Sequence, residues 1–156
     1  MIKPRTAVGA LMLSAAGLIG LTSYEGFSDQ AYIPVPGDVP TIGFGSTSGV
    51  SMGDKITVTD ALVRLRRDVG VAESAIARCV TVTLTQGEYD AYTSFAFNIG
   101  ADAFCSSTLV KKLNAGDYPG ACAELKRWVY VKGTYSKGLA RRREAEYKTC
   151  MGVANE

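Results

Sequence analysis

The chain opens with an uncharged apolar run, breaks into a stretch rich in proline and glycine, and then settles into helical periodicity. Thr6 to Tyr24, "TAVGALMLSAAGLIGLTSY", carries no charge and follows the cations Lys3 and Arg5. As one helix this run would span ~28 Å, barely the thickness of a hydrocarbon core. Between Tyr32 and Thr47, Pro34, Pro36, Pro40, Gly37, Gly43 and Gly45 interrupt Tyr, Ile, Val and Phe, the pattern of short strands and turns. From Thr59 the positions Leu62, Leu65, Val69, Ala72, Ile76 and Cys79 recur every three or four residues, predicting an amphipathic helix over 59–79 capped by Thr59 and Asp60. Thr85 and Glu88 sit at capping-box spacing before "YDAYTSFAFNIG", a largely buried helix that Gly100 should stop. Shorter helices are predicted at "STLVKKLN", "PGACAELKRWVY" and "GLARRREAEYKTCM". The fold class that follows is α+β, with one small sheet near the N-terminus and a mostly helical lobe behind it.

A length of 156 residues with 47% hydrophobic content suits one domain with a sizeable core. The formal charge of +2 is too small to call for nucleic acid, though a slightly basic surface suits an anionic polymer such as a bacterial cell wall. Histidine is absent, which removes Ser-His and Cys-His catalysis and the commonest metal ligand, so chemistry must run on carboxylates, lysines, hydroxyls or thiols. Cys79, Cys105, Cys122 and Cys150 lie 26, 17 and 28 residues apart, with no close pair of metal-ligand type. No metal and no cofactor are expected. An even cysteine count suits two disulfides in an exported chain, with three pairings open, or four buried thiols in a cytosolic one.

Lys3 and Arg5 ahead of the apolar run would stay in the cytoplasm and direct the rest outward. The run reads in four ways: a signal peptide cleaved near Ser14-Ala15-Ala16, a permanent anchor, a weak anchor able to leave the bilayer, or a buried first helix that never meets a membrane. Its Gly, Ala, Ser and Thr content dilutes the hydrophobicity a permanent anchor needs.

Hydrolysis of a glycosidic bond needs an acid for the leaving oxygen and usually a second carboxylate to activate water or attack the sugar. Glu25, directly after the apolar run, could be the acid, and Asp29 and Asp38 flank the turn region that follows. Asp29 has the weaker claim, because four residues along a continuing helix it would approach from the acid's own side.

The segment "EGF....AY......TIGFGST" over Glu25 to Thr47 resembles the catalytic segment of the phage-type lysozymes, the muramidase endolysins of tailed phages. "LTQGEYDAYTSFAFNIG", "FCSSTLVKKLNAGDY", "ELKRWVY" and "GLARRREAE" resemble the family's later blocks in order, so the likeness runs from Glu25 almost to the C-terminus. It implies a lysozyme-like fold, with a small β lobe and a helical lobe joined by a long helix, and a peptidoglycan cleft between the lobes. It implies Glu25 as general acid and Thr41 as the hydroxyl that helps hold the attacking water. Where the family has aspartate, two residues after Tyr32, this chain has Pro34, and Asp38 in the rebuilt turn is the expected substitute. Thr47, Phe97, Asn98 and Glu124 match positions that line the family's cleft; Phe97 reads equally as core, and Trp128 reads as core.

The expectation is therefore an anchor over 1–24 and a catalytic domain over 25–156 of a signal-anchor-release endolysin. It would be a monomer, held at the host inner membrane facing the periplasm and then released to cleave peptidoglycan and lyse the cell. The expected disulfides are Cys79 with Cys105 and Cys122 with Cys150. Two other functions compete: a lytic transglycosylase using Glu25 alone, and a non-catalytic, membrane-tethered wall-binding protein.

Overall fold

A long helix, α2, runs from Val58 to Cys79 and carries the chain from a small β unit, residues 18–70, to a helical unit made of residues 1–17 and 71–156. The structure is a computed structural model that describes residues 3–153; Met1 and Ile2, at the head of the expected anchor, and residues 154–156 lie outside it.

In the β unit, strand β1 (Ser28–Tyr32) pairs antiparallel with β2 (Thr41–Gly43), Ser28 opposite Gly43 and Tyr32 opposite Thr41 with a bulge between. Leu21, Ile42, Ala61, Leu65 and Val69 are its buried apolar side chains. The predicted stripe on α2 is shifted at its start: Leu62 is exposed and Ala61 is buried. A Cβ on Gly43 would come within 2.9 Å of the Ala61 Cβ, so β2 approaches α2 too closely for even an alanine there. The cap is also earlier than predicted. The Thr57 hydroxyl accepts from the Asp60 N–H at 3.1 Å and donates to its carboxylate at 2.9 Å.

In the helical unit, α3 (Gln86–Ile99) begins with the predicted capping box of Thr85 and Glu88 and stops at Gly100, whose φ of +93° a side chain would resist. It is buried on nearly every face and packs against α7 (Lys137–Met151). Around it lie α4 (Ala101–Cys105), α5 (Thr108–Asn114) and α6 (Tyr118–Glu124), with Phe95, Phe104, Leu109, Leu113 and Leu125 at the centre of the core. The helix predicted to run on through Tyr130 ends at Glu124. A 3-10 turn over Leu125–Arg127 leads instead into a hairpin, β3 (Tyr130–Val131) with β4 (Thr134–Tyr135). Lys132 and Gly133 both take positive φ in its two-residue turn, the conformation that matches strand twist. The cysteines pair as Cys79 with Cys105 and Cys122 with Cys150, at Cα separations of 5.5 and 5.8 Å. Closing loops of this length restricts the unfolded chain by about 3.5 kcal/mol per bridge in the chain-entropy picture.

The apolar run is not one helix. Thr6 pairs with Leu84 through both backbone bonds, a 3-10 turn covers Val8–Ala10, and α1 begins only at Ala15 and ends at Glu25. Among the described residues no helix is long and apolar enough to cross a membrane.

Candidate active site

Glu25 closes α1. Gly26 follows with φ +66° and returns its N–H to the Thr22 carbonyl at 3.2 Å, a left-handed stop that leaves the Glu25 carboxylate half-buried at the helix end. Because the helix stops there, Asp29 lies exposed on β1 and shares no helix face with Glu25.

Against the carboxylate lies a tight turn in which Ile42 and Ser46 exchange backbone bonds of 2.9 and 3.0 Å. Gly43 and Gly45 take φ of +64° and +84°, and a Cβ on Gly45 would sit 3.1 Å from Glu25 Oε2. Bare backbone at Gly45 is thus what lets the acid rest on the turn. The Ser46 hydroxyl donates to Asp68 at 2.6 Å, tying the turn to α2, and the Phe27 and Phe44 rings pack with centroids 5.3 Å apart. Gly45→Ala should cost about 1–2 kcal/mol for its backbone conformation. It should also lower wall-lysing activity roughly tenfold or more by displacing the acid, a loss larger than that stability change predicts. Paired melting and turbidity measurements check both.

Thr41 is buried opposite Tyr32, and its hydroxyl donates to the Val39 carbonyl at 3.2 Å. Asp38 occupies the last position of a turn closed by its own N–H on the Val35 carbonyl at 3.0 Å, with Pro36 and Gly37 (φ +92°) at the two central positions, as a type II turn requires. Its side chain is exposed at the loop tip, three residues before Thr41. Thr47 is exposed just after the Gly45 turn.

The remaining candidates belong to the helical unit. Asn98, exposed near the end of α3, accepts a hydrogen bond from the buried Arg143, which also donates to the Trp128 carbonyl at 3.1 Å. Phe97 is half-buried against the core, and Trp128 stacks edge-on to Phe95 at 5.4 Å. Trp128 is therefore core, as predicted, yet it also lines a cavity of about 270 Å³ with Thr108, Glu124 and Arg127. Glu124 is buried, with Lys112 at 2.7 Å and Arg127 at 3.2 Å. The Lys112 hydrogen bond, opposed by burial and reinforced by the charges of Lys112 and Arg127, holds its carboxyl below the ordinary value of 4.5. Stability from a depressed carboxyl is present above the unfolded value and is lost as pH falls through the folded one. Unfolding of Glu124→Gln and the wild-type protein should therefore differ near neutral pH and converge as pH drops below 4.5.

The family model for phage lysozyme matches residues 22–146, a span that contains every candidate above. The chain belongs to the phage lysozyme family. It is 43% identical over 138 residues to the endolysin of Acyrthosiphon pisum secondary endosymbiont phage 1, covering 86% of this chain and 94% of the relative. It is 38% identical over 146 residues to the SAR-endolysin of Pseudomonas phage phiKMV, covering 91% and 90%. Among solved structures, the endolysin from Escherichia coli O157:H7 phage FAHEc1 superposes with a TM-score of 0.84 at 34% identity, over 95% of this chain and 99% of that one. A phage lysozyme is a cell-wall lytic enzyme, and peptidoglycan is its substrate. Within this phage lysozyme, Gly45, which lies against Glu25, and Arg143, which donates to Asn98, are contacts of the candidate residues that the sequence reading did not single out. The first carries a signal in the glycine spacing of "GFG"; the second, one of three consecutive arginines, carries none.

Proposed function

We propose that this phage lysozyme is a muramidase that hydrolyses the β-1,4 bond between N-acetylmuramic acid and N-acetylglucosamine. Glu25 gives its proton to the leaving glycosidic oxygen while water adds to the anomeric carbon, the acid-plus-nucleophile division that glycoside cleavage requires. The observation that carries this reading is the Glu25 carboxylate, half-buried and resting on the Gly45 backbone at the end of α1. The Thr41 hydroxyl has committed its proton to the Val39 carbonyl, so its lone pairs are the ones that accept from the attacking water. Asp38 is the proposed second carboxylate, and Thr47, Phe97, Asn98 and Glu124 are proposed to hold the glycan and its peptide. The enzyme acts as a monomer.

Lytic transglycosylation is the second reading, favoured by one observation: Pro34 stands at the family's aspartate position and Asp38 lies on an exposed loop tip. There the muramic acid's own hydroxyl attacks and a single acid suffices. Product analysis on purified peptidoglycan separates the two, since reducing ends mean hydrolysis and anhydro ends mean transglycosylation. With hydrolysis, Asp38→Asn should lose on the order of 100-fold in rate. Activity within a few-fold of wild type removes Asp38 from the mechanism.

The same reading includes control by the N-terminus, an expectation strengthened by relatives that are SAR-endolysins. The run from Thr6 to Tyr24 holds the enzyme at the inner membrane, exported and inactive, with Lys3 and Arg5 on the cytoplasmic side. A membrane potential favours keeping each of those cations inside by about 2.3 kcal/mol per 100 mV, and its collapse removes that hold. Glu25 directly follows the run, so a tethered run pins the acid at the bilayer surface. Fractionation before and after depolarisation tests this; full-length protein that is soluble and active throughout would sink it.

A further inference from the structure

Residues 5–17 make an ordered series of polar contacts with the rest of the helical unit. Arg5 donates to both carboxylate oxygens of Glu88, at 2.8 and 3.2 Å, and its guanidinium lies 3.6 Å over the Tyr118 ring. Thr6 and Leu84 exchange both backbone bonds. The Leu13 N–H donates to Glu73 at 2.8 Å. Ser14 gives its N–H to Asp90 at 2.9 Å and its hydroxyl to the other oxygen of the same carboxylate. Gln86 donates to the Met12 carbonyl at 2.8 Å and to Asp90 at 2.9 Å. Of these acceptors, Glu88 and Asp90 are buried.

We propose that Glu73, Gln86, Glu88 and Asp90 form a seat for residues 5–17, and that capture by this seat, together with the weakness of the apolar run, draws the segment out of the bilayer. The inference rests on the tethered state proposed above.

Three features of the contacts point to capture. First, the seat is incompatible with a spanning helix. The Leu13 and Ser14 N–H groups that a continuous helix would bond internally are taken by carboxylates, and the Ser14 hydroxyl accepts from the Gly17 N–H at 3.0 Å, so α1 starts at Ala15. The eleven residues left in α1 reach only ~16 Å, half a hydrocarbon core. Second, Arg5 stands on the cytoplasmic side of the tethered run, yet its acceptor Glu88 and its ring partner Tyr118 belong to the exported unit. Release therefore moves this cation across the membrane to a prepared site. Third, Gly17 lies against the seat: a Cβ there would come within 3.0 Å of the Asp90 carboxyl carbon and 2.6 Å of Leu13. A glycine that weakens the run as an anchor is one the seat requires.

The test alters the seat and leaves the apolar run untouched. Full-length wild type and Asp90→Ala are expressed in bacterial cells, and the membrane-bound and soluble fractions are followed after a protonophore is added. Hydrogen bonds to a buried charged acceptor shift an equilibrium by on the order of tenfold, so the tethered-to-released ratio of Asp90→Ala should rise by about that factor and lysis should be delayed. Formation of both disulfides, read from non-reducing gel mobility, verifies that the variant is folded. If Asp90→Ala misfolds, Gln86→Ala, at an exposed position that touches Met12 and Asp90, takes its place with the same expected direction. A folded seat variant released as fast as wild type overturns the seat and leaves the tether standing. A wild type that never sediments with membranes overturns the tether, and the seat's role falls with it.

Discussion

Glu25→Gln should abolish wall lysis, lowering the rate at least 100-fold while leaving the melting temperature close to wild type. The substitution keeps the side chain's size and removes only its ability to give and regain a proton, the kind of step worth roughly 10²–10⁴ in rate. The other acids of the β unit offer no replacement of similar placement. Asp54 accepts from the Ser51 N–H, Asp60 from the Thr57 hydroxyl, and Asp68 from the Ser46 hydroxyl beside Arg67. Asp29 and Asp38 are exposed, on a strand and on a loop tip. Only Glu25 combines partial burial with a glycine turn against its oxygens. Turbidity loss of permeabilised cells exposed to purified variant reads the rate, and melting reads the fold. A Glu25→Gln protein that lyses walls at near the wild-type rate defeats both the hydrolytic and the transglycosylase readings. A wild type that binds walls without cutting them makes the chain a binding module.

How much of this was legible in the sequence follows the range of the interactions involved. The capping box of Thr85 and Glu88, the stop at Gly100 and the long helix through Cys79 depend on neighbours a few residues away, and spacing was enough to place them. The start of α2 was misjudged because Thr57, not Thr59, reaches the free N–H of Asp60. The stripe was misjudged at Leu62 because what decides burial at Ala61 is β2 coming close at Gly43, a contact between distant residues. The hairpin after Trp128 was missed for a related reason. Its two strands have two residues each, too few to show alternation, and Lys132 gives no warning of a positive φ.

The apolar run shows the limit most clearly. Its composition fits a membrane helix, and nothing local in "LMLSAAG" announces that Leu13 and Ser14 will lose their helical bonds to Glu73 and Asp90. Those acceptors lie 60 and 76 residues away. Likewise Glu25 could be picked out by resemblance and by its place at a helix end, whereas Gly45 becomes informative only once the turn is seen against the carboxylate.

The largest stability loss is expected at Glu146, where a buried carboxylate holds two arginines. Its Oε1 accepts from the Ser94 hydroxyl at 2.7 Å and from Arg142 Nε at 3.1 Å, while its Oε2 accepts from Arg143. Arg142, Arg143 and Glu146 are only 6%, 1% and 3% exposed, so water screens these charges little. Glu146→Gln keeps the volume and removes the negative charge, leaving two buried guanidinium groups facing a neutral amide. Breaking a buried pair in this way costs on the order of 3–5 kcal/mol. For a chain of this size that corresponds to a fall in melting temperature of roughly 10 °C. The effect should reach function as well, because Arg143 donates to Asn98 and to the Trp128 carbonyl, groups beside the residues proposed to hold substrate. Substrate binding should therefore weaken at temperatures where the variant is still folded, with the Glu25 chemistry itself retained at saturating wall concentration. Thermal melting followed by circular dichroism, with lysis rates measured against wall concentration well below the melt, checks both halves. A melting shift below about 2 °C would mean that Glu146 neutralises far less buried charge than its two arginine contacts imply.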